Sequence, residues 1–430
     1  MTTTAPDITD TTTVDWIARA RRVGEALRPE VAAGDRSGEI SLAAFDLLRE
    51  SGLSAALVPA DFGGGGVTHR EMGAILRELG RHDPSTAVAF AMHTHLVAAQ
   101  VWRHNHGIDA APLFAKVVAG AILVSTGASD WVGSNGHAER VEGGYRVHAR
   151  KAPASGCEAG TVLVTSVRWD DAPDGPQVLH CAIPFAADGV RIEKTWDTMG
   201  LRASGSHTVV LDDVFVPDAA VSLARPATVW PPLLNVVLGA AMPLVMAAYL
   251  GIADGAGGPA PPPGPGPAAP PPREQARAVG PPLLTVVPGA AMPRVLPAYL
   301  ASADGAVGLA TALAAGRADA PTVQLAGEMA TAHTTANDLV DAMFNGSENL
   351  HFANTDQYAS RTLSRKTAAA DALVHTVRLA IETVGGLGYS RTCELEMRYR
   401  DVHGCLFHPL PRAKQTHFTG RVLLGQSPIG

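Results

Sequence analysis

Apolar positions recur with helical spacing from about Val14 to Ala119. Trp16, Ile17, Ala20 and Val23 share one face of a 3.6-residue period. Ser41 stands where it can cap a second run holding Phe45, Leu47, Leu48 and Leu53. Pro59-Ala-Asp-Phe-Gly-Gly-Gly-Gly66 interrupts the pattern as a tight glycine loop, and helical spacing resumes from Arg70 through Trp102. From about Gly120 the period falls to two. Tyr145-Arg-Val-His-Ala, Thr161-Val-Leu-Val-Thr, Val178-Leu-His-Cys-Ala-Ile and Thr208-Val-Val-Leu predict strands separated by Gly, Asp and Pro turns, and the alternation ends near Pro217. From Thr322 to about Leu424 Ala-rich stretches with Leu and Met return to i, i+3, i+4 spacing. The order α, β, α predicts an α+β chain. Its expected domains are an N-terminal helical domain at 14–119, a middle β domain at 120–220 and a C-terminal helical domain at 226–430.

Between the last two zones the pattern repeats itself. Residues 231–256 and 281–306 match at 19 of 26 positions with an offset of 50. One pair of copies is not a solenoid, which needs about three units to stack. Gly257 to Pro272, between the copies, holds nine Pro, four Gly and three Ala in 16 residues. That composition predicts a polyproline-rich linker, not a packed face. The second copy carries Pro288, Pro293, Arg294 and Pro297, and each interior proline costs a helix about 3 kcal/mol. Only the first copy reads as a sound helix, so the C-terminal domain carries a Pro/Gly-rich insert and imperfect duplication at about 255–305. Pro231 to Ile252 runs 22 residues without a charge, enough to cross about 30 Å of hydrocarbon. Its three prolines, and the lack of an aromatic girdle or a following basic cluster, predict a helix buried among other helices instead.

Composition removes other classes. With 34 Lys+Arg against 41 Asp+Glu the net charge is −7, and no basic run offers a footprint for nucleic acid. Hydrophobic residues reach 46% and charged residues 17%, against roughly 25% charged in an average domain. The chain therefore has material for a large buried core. Met1 to Thr13 has neither the basic start nor the apolar centre of a secretory signal, and Cys157, Cys181, Cys393 and Cys405 show no CxxC or zinc spacing. The expectation is a cytoplasmic protein, away from membranes, without disulfides or a metal. His93-Thr-His95 and His104-Asn-His106 lack a carboxylate or Cys partner at ligand spacing.

Several motifs follow in order through these zones. Ser125-Thr-Gly-Ala-Ser-Asp130 leaves the first β stretch, and Lys151 with Ser155 ends a strand. Trp196-Asp-Thr-Met-Gly-Leu-Arg-Ala-Ser-Gly-Ser206 precedes Val209-Val-Leu-Asp-Asp-Val-Phe-Val-Pro217. Val384-Gly-Gly-Leu-Gly-Tyr389 precedes Tyr399-Arg-Asp401. With the α–β–α order, these motifs resemble the acyl-CoA dehydrogenase superfamily of flavoproteins. The resemblance implies an N-terminal all-α domain, a β-barrel-like middle domain and a C-terminal four-helix bundle. It also implies a homotetramer in which a neighbouring subunit helps close the flavin site. Contacts to FAD or FMN are implied for Ser125, Thr126, Ser129 and Ser155, and for Gly385, Gly386, Gly388 and Tyr389. Glycines let a backbone approach a phosphate or ring, and a helix N-terminus over them would favour an anion. The plainer readings are a helix-to-helix turn for the glycines and a backbone-bonded hydroxyl for Ser155.

The pattern then departs from the dehydrogenases. Those enzymes remove an α-proton from an acyl thioester with a carboxylate while the flavin takes a hydride. The position of the usual Glu is Pro409, and residues 231–252, where some relatives carry the base, contain no Asp or Glu. The family's Arg-x-x-Phe-Gly element, which helps hold the FAD diphosphate, is replaced by Arg317-Ala-Asp-Ala-Pro321. Ala154-Ser155-Gly156-Cys157-Glu158, Ser204-Gly-Ser206 and Arg400-Asp-Val-His-Gly-Cys-Leu-Phe-His408 instead resemble the flavin-dependent monooxygenases built on the same fold. Those take reduced flavin from a separate reductase and use O2. That resemblance implies catalytic roles for His408, Ser155 and His93 (or His95), histidine being the side chain that titrates near neutrality. The expected function is a flavin-dependent monooxygenase acting on a small organic or biosynthetic substrate. Two alternatives stand beside it. One is an acyl-CoA or acyl-carrier dehydrogenase with its base relocated to Glu158 or an N-terminal acid, and the other is a catalytically silent scaffold. Blander readings make His408 a helix-ending residue, His93 a core histidine and Asp401 an ion-pair partner of Arg400 or Arg398.

Overall fold

The computed structural model describes residues 14–127, 132–254, 306–314, 317 and 319–429. The N-terminal segment folds as α1 (Trp16–Ser37), α2 (Leu42–Glu50), α3 (His69–His82), α4 (Pro84–Asn105) and α5 (Ala111–Val118). Ser41 caps α2 as its position predicts, accepting from the Ala44 N–H. Thr68 and Glu71 form a reciprocal capping box at the start of α3. The helical run from Arg70 to Trp102 is broken in two at Asp83. Pro84 forces the preceding residue into extended backbone, and the Asp83 side chain then caps α4 by accepting from the Thr86 N–H.

The middle segment forms two four-stranded sheets. One has β1 (Leu123–Ser125), β4 (Val162–Trp169), β5 (Gln177–Pro184) and β8 (Val221–Pro226) in that order. The other runs β2 (His137–Val141), β3 (Gly144–Ala154), β7 (His207–Pro217) and β6 (Val190–Glu193). The β1–β4 pair is parallel and the remaining pairs are antiparallel. Val124, Leu163 and Leu179 from the first sheet share one apolar core with Val147, Val209 and Leu211 from the second. The barrel-like expectation thus resolves into two open sheets packed face to face, without closure among the described residues. Strand β8 lies past both Pro217 and the expected boundary at 220. It is a largely exposed edge strand ending in a proline, so it carries little of the alternation that marks a half-buried one.

The C-terminal segment holds α6 (Pro232–Ala253), α7 (Ala306–Ala314), α8 (Ala320–Ser347), α9 (Asp356–Val384), α10 (Glu394–Val402) and α11 (Arg412–Leu423). Helix α9 packs against α6, α8 and α11 as a bundle, while the other side of α6 packs on α3 and α4. The N- and C-terminal helices therefore share one continuous core. That placement explains the uncharged run. From Leu234 to Ala253 every residue but Val237 is buried, with protein helices around α6 in place of lipid.

Asp254 ends α6 and is buried among cations. Its carboxylate accepts from Arg77 Nε and Nη2, each at 2.6 Å, from Arg81 Nε at 2.8 Å and from His333 Nε2 at 3.0 Å. Burial opposes the charge, but the hydrogen bonds from His333 and Arg77 hold its pKa well below the usual carboxylate range. The Gly308 N–H donates to the Asp254 carbonyl at 3.3 Å. Taking the 50-residue repeat offset from the 54 residues between these positions leaves four, the spacing of an α-helical bond. Helix α7 is thus placed as the continuation of α6. The second copy and the Pro/Gly linker lie outside the described residues.

Candidate functional site

Ser155 follows the last residue of β3. It accepts a hydrogen bond from Ser206 Oγ at 2.8 Å, and the Ser204 and Ser206 hydroxyls are 2.6 Å apart. The loop that carries these serines is pinned to Ser155's neighbours, since the Gly156 N–H donates to the Ser204 carbonyl at 2.9 Å. Because Ser155 accepts from Ser206, its own hydroxyl hydrogen is left to point outward. Ser125 ends β1 opposite Val164, and the Thr126 and Thr165 hydroxyls lie 3.1 Å apart. A Cβ added at Gly127 would stand 2.9 Å from Pro153 Cδ and 3.0 Å from the Ala152 carbonyl. The loop after β1 therefore rides directly on the segment leading to Ser155, and Ser125, Thr126 and Ser155 share one rim of the β domain. Ser129 lies outside the described residues. Lys151 is fully buried and donates to the Asn135 carbonyl at 2.9 Å, so it faces into the β domain.

The loop joins this rim to the C-terminal helices. The Leu201 N–H donates to Asp401 Oδ1 at 2.6 Å. Next to this contact stands His408, whose Nε2 lies 2.9 Å from the Tyr249 hydroxyl, with the rings edge-to-face at 5.4 Å. Lys366 donates to the His408 carbonyl at 2.8 Å. Gly404 makes room for this pair, because a Cβ there would stand 2.5 Å from Tyr249 Oη and 2.7 Å from Leu201 Cδ1. His408 is half-buried. Burial, with Lys366 and His95 adding to it, pushes its imidazole pKa down to about 3. Burial likewise lowers the Lys366 ammonium to about 8.

The two histidines of α4 part company. His93 is fully committed to backbone, with Nδ1 accepting from the Leu123 N–H at 3.0 Å and Nε2 donating to the Ser54 carbonyl at 2.9 Å. It ties α4 to β1 and to the turn after α2, so the core-histidine reading holds. His95 donates from Nδ1 to the Ala91 carbonyl at 3.1 Å and contributes to the field at His408. Of the two, His95 stands on the His408 side.

The glycine motif lies elsewhere. Gly385 to Leu387 form a short 3-10 turn at the C-terminal end of α9, with Gly385 at φ +78, and Tyr389 is 81% exposed. It stands at the C-terminal, negative end of the α9 dipole. Arg317 donates to the Thr383 and Val384 carbonyls at 3.1 and 3.3 Å, satisfying that helix end. Lys366 and Gly385 are 19 residues apart along α9, about 28 Å at helical rise. One chain thus brings Ser125, Thr126, Ser155, His95 and His408 toward a common region and leaves Gly385, Gly386, Gly388 and Tyr389 at the far end of the bundle.

Two carboxylates stand near this region. Glu158 contacts Lys194 at 3.3 Å and His207 at 3.4 Å. Asp401 makes no ion pair with Arg398 or Arg400, contrary to expectation. Arg398 pairs with Glu394, and Arg400 pairs with Asp35 and Glu396, each at 2.7 Å. Burial pushes the Asp401 carboxyl up to about 7, with Asp35 adding to it. Sequence reasoning missed Tyr249 and Lys366. The available signals were a hydroxyl inside an otherwise apolar buried run and a lysine on an Ala-rich helix face, since a buried polar group demands a partner.

Residues 17–107 match the family described as Acyl-CoA dehydrogenase, N-terminal domain. The chain has the acyl-CoA dehydrogenase fold. It is 28% identical over 212 residues to a putative acyl-CoA dehydrogenase, YdbM, of Bacillus subtilis, covering 47% of this chain and 55% of that one. It is 27% identical over 254 residues to a probable FMNH2-dependent monooxygenase, SfnC, of Pseudomonas putida, covering 56% and 60%. The chain thus spans little more than half the length of these curated relatives. A crystal structure of KijD3 in complex with FMN and dTDP-3-amino-2,3,6-trideoxy-4-keto-3-methyl-D-glucose superposes with a TM-score of 0.76 at 22% identity, covering 98% of this chain and 95% of that one.

Proposed function

We propose that this protein is a flavin-dependent oxidoreductase of the monooxygenase type, using reduced flavin and O2 on a small organic or biosynthetic substrate. The observation that carries the reading is His408, seated on Tyr249 next to position 409, which is proline where a dehydrogenase needs its carboxylate. Of the nearby acids, Glu158 lies 3.3 Å from Lys194, with its Oε2 making no hydrogen bond among the described residues, and Asp401 Oδ1 accepts from the Leu201 amide. Relatives on both sides of the choice are similar to the chain, so the reading rests on the site residues.

The donor set fits a flavin. Ser155 offers an outward hydroxyl from an ordered serine chain, and the loop at Ser125 and Thr126 lies on the strand end beside it. These are neutral donors, suited to the carbonyl and ring-nitrogen edge of an isoalloxazine. Reduced flavin, when bound, supplies two electrons to O2, so that one oxygen atom enters substrate and the other leaves as water. Ser155 would orient the ring edge, and the neutral imidazole of His408 would donate a hydrogen bond beside it. FAD and FMN both remain admissible; Arg317, spent on the end of α9, favours the smaller FMN. Gly385–Tyr389 would serve a neighbouring subunit's flavin within a homotetramer, a role that fits their exposure and the exposed apolar Phe407, Leu423 and Leu424. The four cysteines are free and buried, in keeping with a cytoplasmic location, and a separate flavin reductase would supply the reduced flavin.

The test mixes the full-length protein with FMNH2, and separately with FADH2, then admits O2 and follows flavin reoxidation and H2O2 release. The expected result is H2O2 release at least about tenfold slower than from free reduced flavin. Release at the free rate, with bleaching of bound oxidised FAD by an acyl-CoA, would establish the dehydrogenase instead. No affinity for either flavin in either redox state would leave the scaffold.

A further inference from the structure

We infer that Tyr249 is a positioning residue that fixes His408 as its Nδ1–H tautomer. The inference rests on the oxygenase reading and deepens it, since it assigns the open nitrogen of each imidazole, a donor on His408 and an acceptor on His95.

The argument is one of hydrogen-bond accounting. Among the described residues the Tyr249 hydroxyl makes one hydrogen bond, to His408 Nε2 at 2.9 Å, and Tyr249 has no accessible surface. If His408 Nε2 were the donor, the phenolic hydrogen would be buried without an acceptor, a heavy penalty for so strong a donor. If Tyr249 donates, that hydrogen is satisfied and Nε2 is an acceptor. The single proton of the neutral imidazole then resides on Nδ1. Lys366 holds the same residue by its backbone carbonyl at 2.8 Å, and Gly404 leaves the space the phenol occupies. The ring therefore has a fixed position as well as a fixed tautomer.

His95 carries the same tautomer but leaves its other nitrogen open. A carbonyl can only accept, so its contact with Ala91 O at 3.1 Å requires Nδ1–H on His95 and leaves a lone pair on Nε2. Neither His408 Nδ1 nor His95 Nε2 makes a hydrogen bond among the described residues. The open nitrogen of His408 is thus a hydrogen-bond donor and that of His95 an acceptor. His93 carries the opposite tautomer, Nε2–H, dictated by Leu123 and Ser54, and serves as an internal reference.

The experiment is solid-state nitrogen and carbon NMR of histidine-labelled, flavin-free, full-length protein at pH 7.5, with His408 signals assigned by their loss in His408→Asn. The expected spectrum places the His408 proton on Nδ1, as for His95, and that of His93 on Nε2. In Tyr249→Phe the His408 population moves toward Nε2–H by roughly tenfold, while His93 and His95 stay unchanged. A wild-type His408 already in the Nε2–H form, or in an even mixture, overturns the inference. So does a Tyr249→Phe spectrum identical to wild type. The wild-type spectrum decides alone should the variant fail to fold. Because no flavin is present, the expected tautomer alongside failure of the reduced-flavin test would reject the oxygenase reading and leave the Tyr249 assignment standing.

Discussion

At the scale of single residues, the two α4 histidines carry different loads. Replacing His93 by Ala strands the Leu123 amide and the Ser54 carbonyl in a buried setting, each at about 1–3 kcal/mol. We expect His93→Ala to lower stability by roughly 2–5 kcal/mol, and His95→Ala, which loses only a bond within its own helix, to cost far less. Urea denaturation of both variants measures the difference. Asp401 supplies a second prediction. Its carboxyl, raised by burial to about 7, sits well above the ordinary value near 3.9. Its contribution is therefore full below about pH 4 and is lost as pH rises through 7. Asp401→Asn keeps an acceptor for the Leu201 amide and removes the titration. The variant should gain on wild type by on the order of 4 kcal/mol between pH 4 and pH 8. Thermal unfolding at both pH values checks it, and a constant difference would refute it.

At the scale of elements, α6 is informative. Its apolar sequence predicted burial, and burial on all sides follows from its position between α3, α4 and α9. The hydrogen bond from Gly308 to Asp254 has helical register once fifty residues are removed. Deleting residues 257–306 joins Ala256 to Val307 and makes that contact a bond of one continuous helix. The shortened chain should keep the wild-type circular dichroism and melt at the same or a higher temperature. Loss of cooperative unfolding would show that the duplicated segment contributes to the fold. The β elements were legible wherever one face is buried, as in β3, β4, β5 and β7. The short strands β1 and β6 and the exposed edge β8 were not, since neither length nor alternation marks them.

At the scale of the whole molecule, buried imidazoles set the response to acid. Burial lowers His69, His93, His95 and His180 to about 4 and His408 to about 3. A depressed histidine contributes stability that is present above its unfolded pKa near 6.5 and is lost as pH falls through its folded value. Each loss is on the order of 3 kcal/mol when complete, and five of them outweigh the opposite trend of Asp401 and Asp83. The urea midpoint should therefore fall steeply between pH 6.5 and pH 4, before the carboxylates titrate. A flat midpoint across that range would mean these rings are not buried neutral.

The sequence by itself determined the order of helical and sheet zones, the burial of α6, the cap at Ser41, and the chemistry absent from position 409. Each is a local property: a period, a cap or a residue type. Only the tertiary structure decided that His95, not His93, stands toward His408, that Tyr249 meets its ring, and that Asp401 serves the Leu201 amide. Only it placed Gly385 to Tyr389 far from Ser155 within one chain. A histidine's role is set by what faces its two nitrogens, and those partners come from segments up to hundreds of residues away in the chain. Spacing along a sequence fixes which residues share a face; it does not fix which faces meet.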